Sequence, residues 1–245
     1  MSRPVLLIAG GSRGIGAATA KLAGARGYDV AVNYKTNSNA AAAVVKAVET
    51  GGGKAVAIQG DMAIESDIER VFATAGDTFG SLTHFVHSSG IIGDNSRLDD
   101  ASSDTIREVL DIDTFGALWC LRACIRRMST KHGGKGGAVV MLSSMAAPLG
   151  GANECVWYAA AKAGVDSMVI GASREVAKEG MRINAVTPGV IDTDIQPPGR
   201  VERVTPMLPM GRAGQADEVA EAVLFLLSDA ASYINGANLR VSGGR

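Results

Sequence analysis

The sequence predicts a single-domain, doubly wound parallel α/β sheet with helices on both faces, and three observations carry that prediction: chain length, strand-helix alternation, and strands apolar along their whole run. A chain of 245 residues that is 47% hydrophobic and 20% charged can bury a full core in one unit. Apolar, β-branched runs at 5–9, 30–33, 55–58, 83–86, 138–142, 182–186 and 238–241 read as strands. Amphipathic stretches separate them, with Ile106, Val109, Leu110, Leu118, Leu121 and Ile125 on one, and Val219, Ala222, Val223, Leu226 and Leu227 on another. Alternation of this kind demands right-handed crossovers and hence a parallel sheet. Strands that are apolar at successive positions are covered on both faces.

The first strand runs into Ala9-Gly10-Gly11-Ser12-Arg13-Gly14-Ile15-Gly16, and a helix opens near Ala17. Glycines there let backbone approach a phosphate and let helix pack on strand, while the helix N-terminus offers free N–H groups to an anion. A tight packing turn has the same composition, and the G-x-x-x-G-x-G spacing differs from G-x-G-x-x-G. The position of the loop, at the first strand-helix junction of an α/β series, decides for a dinucleotide. The second strand ends Val32-Asn33-Tyr34-Lys35, without the carboxylate that holds the adenine ribose hydroxyls of NAD(H). Lys35 and Arg13 suit a 2′-phosphate, which favours NADP(H) over NAD(H). Two merely solvated loop cations would look alike in sequence.

The fifth predicted strand ends at Ser143 and Ser144, at the sheet edge where doubly wound folds bind ligands. No histidine falls in a segment predicted to reach them, so a hydrogen bond to a substrate oxygen suits a serine here better than nucleophilic attack. Downstream, an alanine-rich helix over 156–176 places Tyr158 and Lys162 one turn apart on one surface. A phenol near pKa 10 needs about 3 units of depression, roughly 4 kcal/mol, to act as a base at neutrality. A cation about 4 Å away at an effective dielectric near 20 supplies roughly that much before desolvation is subtracted. In the reducing direction the same phenol is a general acid. The stretch 188–209, with several prolines and no periodicity, is a candidate substrate lid.

Composition narrows the function classes. A formal net charge of −1 gives no global field for nucleic acid, and no apolar run approaches the roughly 20 residues of a membrane span. Cys120, Cys124 and Cys155 lack disulfide or zinc spacing, and with three histidines a metal site is not expected. A cytoplasmic protein with a small-molecule partner is expected, with no nucleic acid and no membrane.

These residues together resemble the short-chain dehydrogenase/reductase family in its T-G-x-x-x-G-x-G, N-N-A-G, Ser, Tyr-x-x-x-Lys and P-G branch. The likeness covers nearly the whole chain and is greatest to 3-oxoacyl-acyl-carrier-protein reductases and glucose dehydrogenases. It implies a Rossmann-type fold with Ser144 orienting substrate, Tyr158 as acid/base and Lys162 binding ribose and lowering the tyrosine pKa. It also implies cofactor contacts from Gly10, Ser12, Arg13, Gly14, Ile15, Gly16, Asn33, Tyr34, Lys35, Asp61, Met62, Ser88, Ser89, Gly90, Tyr158, Lys162, Pro188, Gly189, Ile191 and Thr193. A homotetramer is implied through the apolar stripe of the 106–128 segment. An acyl carrier protein is implied as a possible partner for Arg122, Arg126, Arg127 and Lys131, cations that also simply complement a helix C-terminus.

Three features depart from the family pattern: Ala9 replaces threonine, His87-Ser88-Ser89-Gly90 replaces N-N-A-G, and Asp113 stands where the family has a catalytic asparagine. The resemblance makes Asp113 a member of the catalytic set, with a charge that opposes depression of the tyrosine pKa. Carbonyl reduction is therefore the favoured direction. Two function classes stay open: an NADPH-dependent carbonyl reductase or alcohol dehydrogenase acting on a ketone, 3-oxoacyl thioester or sugar, and a dinucleotide-binding protein of the same fold with little turnover and a regulatory role.

Overall fold

A computed structural model describes residues 3–245. Seven strands, β1 (Val5–Ala9), β2 (Asp29–Tyr34), β3 (Ala55–Gln59), β4 (His84–His87), β5 (Gly137–Leu142), β6 (Met181–Pro188) and β7 (Asn238–Val241), form one sheet in the order β3-β2-β1-β4-β5-β6-β7. Every neighbouring pair is parallel. All seven predicted strands are present, most extended by a residue or two at their ends.

Side-chain alternation along each strand feeds two separate apolar layers. Leu6 and Ile8 of β1, Val30 and Val32 of β2, and Val140 of β5 pack against α1 (Gly14–Ala25), α2 (Ser38–Thr50) and α9 (Ala216–Leu227). Leu7 and Ala9 of β1, Phe85 of β4 and Val139 of β5 face α3 (Glu65–Phe79), α5 (Ala117–Met128) and α7 (Val156–Val176). Coverage on both faces holds for the five central strands. The edge strands β3 and β7 are only partly covered.

The segment read as one amphipathic helix through 106–125 is helical throughout but not uniform. Helix α4 (Ser103–Leu110) passes into a π-helical turn (Asp111–Gly116) before α5. The wider turn adds residues to the circuit, and Ile112 and Asp113 are buried within it. A short helix α6 (Ala146–Leu149) precedes α7, and in the 188–209 segment α8 (Arg200–Val204) is followed by a turn that seats Val204 and Leu208 on Val190 and Ala213 as a small apolar cluster of its own.

Candidate active site

The order of strands reverses at β1: β2 and β3 lie to one side and β4 to the other. The loops that leave the carboxyl ends of these strands therefore diverge, and a cleft opens between them. Its volume is about 530 Å³. All the predicted site residues line it except Gly16 and Asp113, which stand directly behind the wall.

The glycine loop is shaped by close approach. Gly10 has φ +72°, and a Cβ there would lie 2.7 Å from the Ser89 nitrogen; a Cβ on Gly16 would overlap the Gly10 carbonyl oxygen. Asn33, predicted to touch cofactor, is buried and spends its side chain on the loops. Its Oδ1 accepts from the Gly10 N–H at 3.1 Å, and its Nδ2 donates to the Gly60 carbonyl at 3.0 Å and the Ile58 carbonyl at 3.3 Å. Helix α1 starts at Gly14 without a side-chain cap, so its first-turn N–H groups are left for another acceptor. At the outer end Lys35 pairs with Asp61 at 2.8 Å, and Arg13 lies 3.9 Å from Asp194. The uncapped helix start, the small-residue cradle and these rim cations fit a dinucleotide.

Helix α7 carries Tyr158 and Lys162 on the face that meets the cleft, and both are buried. The Lys162 ammonium lies 5.5 Å from the centre of the Tyr158 ring, 3.3 Å from the Leu142 carbonyl to which it donates, and 3.7 Å from Asp113 Oδ2. The two serines after β5 divide: Ser143 donates to the Lys162 carbonyl at 3.3 Å and ties β5 to α7, whereas Ser144 faces the tyrosine and favours its ionised form by a hydrogen bond. His87 is fully enclosed at the end of β4, and neither ring nitrogen has a partner. Burial and the nearby Lys162 charge pull its pKa down to about 3, so it is neutral and serves packing.

Asp113 belongs to the same cluster. Its Oδ1 accepts the Ile91 N–H at 3.1 Å while Oδ2 has no hydrogen-bond partner. Burial pushes its pKa up to about 6 against the pull of Lys162 and the Ile91 N–H. Burial alone would lower the Lys162 pKa, but Asp113 and then Tyr158 more than offset it, so the ammonium stays charged. For Tyr158 the sequence expectation of a lowered pKa is reversed. Burial raises it, Lys162 only partly opposes, and the Asp113 charge adds to the rise. The phenol is held protonated.

Two sets of ion pairs were not read from the sequence. Glu154, just before α7, accepts from Arg200 of α8 at 2.6 Å and from Arg203 at 3.4 Å, joining the 188–209 segment to the far end of the cleft. Arg122, Arg126 and Arg127 are all met by carboxylates of α3: Arg122 pairs with Glu65, and Arg127 with Glu69 at 2.8 Å, while Arg126 lies 4.0 Å from Glu69. Their charge is largely compensated within the chain. Among the described residues there is no cluster fit to hold a metal ion, and no helix is long and apolar enough to cross a membrane.

Fold and site together define an NAD(P)-dependent oxidoreductase acting on CH–OH or C=O groups. The family model described as Enoyl-(Acyl carrier protein) reductase matches residues 9–245. The uncharacterized oxidoreductase YgfF of Escherichia coli (strain K12) is 41% identical over 98% of this chain and 99% of its own length. A 3-oxoacyl-[acyl-carrier-protein] reductase of Synechocystis sp. is 35% identical over 100% of this chain and 97% of its own. An L-rhamnose 1-dehydrogenase (NAD(P)(+)) of Sphingomonas sp. is 34% identical over 98% of this chain and 94% of its own. A solved short-chain dehydrogenase/reductase from Serratia marcescens superposes with TM-score 0.92 at 28% identity, covering 99% of this chain and 98% of that one. The chain belongs to the short-chain dehydrogenase/reductase family.

Proposed function

We propose that the protein is an NADPH-dependent carbonyl reductase, reducing a ketone to a secondary alcohol as a cytoplasmic homotetramer. The observation that carries the reading is a phenol, Tyr158, held protonated at the cleft wall, with Ser144 facing it and a charged Lys162 behind it. A nicotinamide dinucleotide bound along the glycine loop supplies the hydride. Ser144 donates a hydrogen bond to the substrate carbonyl oxygen, and Tyr158 gives its proton to that oxygen as negative charge develops there. The Lys162 ammonium then stabilises the phenolate until it regains a proton from solvent. A group that must donate a proton is served by a raised pKa, which favours reduction over oxidation.

Preference for NADPH rests on Lys35 and Arg13. Both meet carboxylates at the rim, but exposed pairs of this kind are worth about 1 kcal/mol or less, and a doubly charged 2′-phosphate competes well for both cations. The 188–209 segment acts as a substrate lid within one domain. Exposed Phe115, Leu118 and Ile170 supply the apolar face for the homotetramer. A 3-oxoacyl thioester is a candidate substrate by analogy with the Synechocystis relative. The α3 carboxylates on Arg122, Arg126 and Arg127 favour a free thioester over one presented by an acyl carrier protein. Purified protein is expected to consume NADPH with at least one member of a panel of ketones, aldehydes, quinones, sugars' keto forms and 3-oxoacyl thioesters, and to bind NADPH more tightly than NADH. No consumption with any of them ends the reading.

A further inference from the structure

One basic group of the cleft, Arg200, serves neither the proton chemistry nor the proposed cofactor contacts. Arg200 opens α8, lines the cleft together with Tyr158 and Glu154, and has a side chain only 12% exposed. Its Nη2 donates to Glu154 at 2.6 Å and its Nη1 lies 3.5 Å from the Gln196 side-chain oxygen, but its Nε is buried and has no partner. A buried guanidinium N–H left without an acceptor is costly, and a carboxylate binds a guanidinium best through two parallel N–H groups. Glu154 is shared by two guanidiniums, Arg200 on the cleft side and Arg203 on the exposed side at 3.4 Å. The three groups together carry one unit of positive charge.

We infer that Arg200 is a specificity-determining residue that binds a carboxylate carried by the substrate, so that the preferred substrates are oxo acids rather than neutral ketones. The incoming carboxylate competes with Glu154 for Nη2, and as the guanidinium turns toward it the enclosed Nε gains the acceptor it lacks. Glu154 is not orphaned by the exchange, because Arg203 still holds it. Arg200 sits in the lid segment, so an acidic substrate also draws that segment onto the cleft. Asp194 and Arg13, which also line the cleft, form their own pair at 3.9 Å.

The inference rests on the reductase reading, and the test separates the two. The protein is first titrated with NADP+, which tests the cofactor site alone, and NADPH consumption with neutral carbonyls tests turnover. Acetoacetate and its methyl ester, which differ in charge but share the ketone, are then titrated calorimetrically into the NADP+-saturated protein. Wild type is expected to bind the acid at least about 10-fold more tightly than the ester, as for a charge-assisted, partly buried pair. Arg200→Met is expected to remove that preference while leaving ester and NADP+ binding unchanged. Glu154→Gln, which frees the Arg200 fork, is expected to tighten acid binding about 3-fold or more. Acid bound no better than ester by wild type, no detectable binding of the acid, or equal weakening of both ligands by Arg200→Met would overturn the inference, whatever the turnover with neutral carbonyls.

Discussion

Replacing Asp113 by Asn keeps the shape of the side chain and the acceptor for the Ile91 N–H, removes the ability to ionise, and puts an amide NH2 where Oδ2 faced Lys162. The carboxyl pKa is pushed from the ordinary 3.8 to about 6 in the folded protein, because burial outweighs the attraction of Lys162 at 3.7 Å. The folded state therefore holds a proton that the unfolded chain has already released between these two values. Stability from this group is fully present below about pH 4 and is lost as pH rises through about 6. A difference of about 2 units is worth roughly 3 kcal/mol at 1.36 kcal/mol each. The folded forms of wild type and Asp113→Asn carry the same charges at pH 4, and the two are expected to unfold within about 1 kcal/mol of each other there. By pH 7 the wild type is expected to trail the variant by roughly 3 kcal/mol. Comparing the two proteins removes the histidines from the difference: His84 and His87 have lowered pKa values, about 4 and about 3, and their stabilisation runs the other way, being lost as pH falls. Urea unfolding of apo protein at fixed concentration, at half-unit steps from pH 4 to 7.5, reads the quantity directly. A gap that stays constant within about 1 kcal/mol, or a wild type that gains on the variant as pH rises, would refute the reasoning, since the Lys162 pair would then be worth at least as much as the burial it requires.

Three further outcomes follow from the cofactor end of the cleft. Asn33→Ala removes three hydrogen bonds between the glycine loop and the β2–β3 turns and leaves buried backbone groups without partners; a loss of about 2–3 kcal/mol in urea unfolding is expected, with weaker dinucleotide binding. Gly16→Ala places a methyl on the Gly10 carbonyl oxygen and is expected to weaken NADPH binding at least about 100-fold by fluorescence titration, a displacement of the loop too large for a neighbouring side chain to absorb. Lys35→Ala is expected to weaken NADPH binding about 10-fold and leave NADH binding unchanged, and an equal effect on both would remove the basis for the 2′-phosphate assignment.

Much of this molecule is legible in its sequence. The strands stand out because buried parallel strands are apolar at every position, and the edge strands β3 and β7 were still found from their residue types although they are less covered. Tyr158 and Lys162 were readable because a helix fixes what i and i+4 share. Contacts between loops are another matter, since crossover geometry and not local pattern decides them. Lys35 and Asp61 were both expected at the cofactor, but nothing in the chain says that they meet each other at 2.8 Å. The same holds for Glu154 with Arg200. The π-helical turn that buries Asp113 leaves the apolar periodicity of its flanks intact and so gives no signal. The direction of the Tyr158 pKa went against expectation because a sequence displays the Lys162 charge and hides the desolvation that exceeds it.

The most direct test of the central claim compares wild type with Tyr158→Phe. Loss of the phenol hydroxyl removes the proton donor and leaves the ring packing and the glycine loop in place. The account predicts that both proteins bind NADPH with affinities within about 3-fold, and that Tyr158→Phe loses at least about 1,000-fold in kcat/KM on every carbonyl the wild type reduces, within the span that proton donation and loss of the ordered hydrogen bond together contribute. Equal binding with no turnover by either protein would place the chain among dinucleotide-binding proteins that do not catalyse, and full activity in Tyr158→Phe would contradict the proton-transfer role at the heart of the reading.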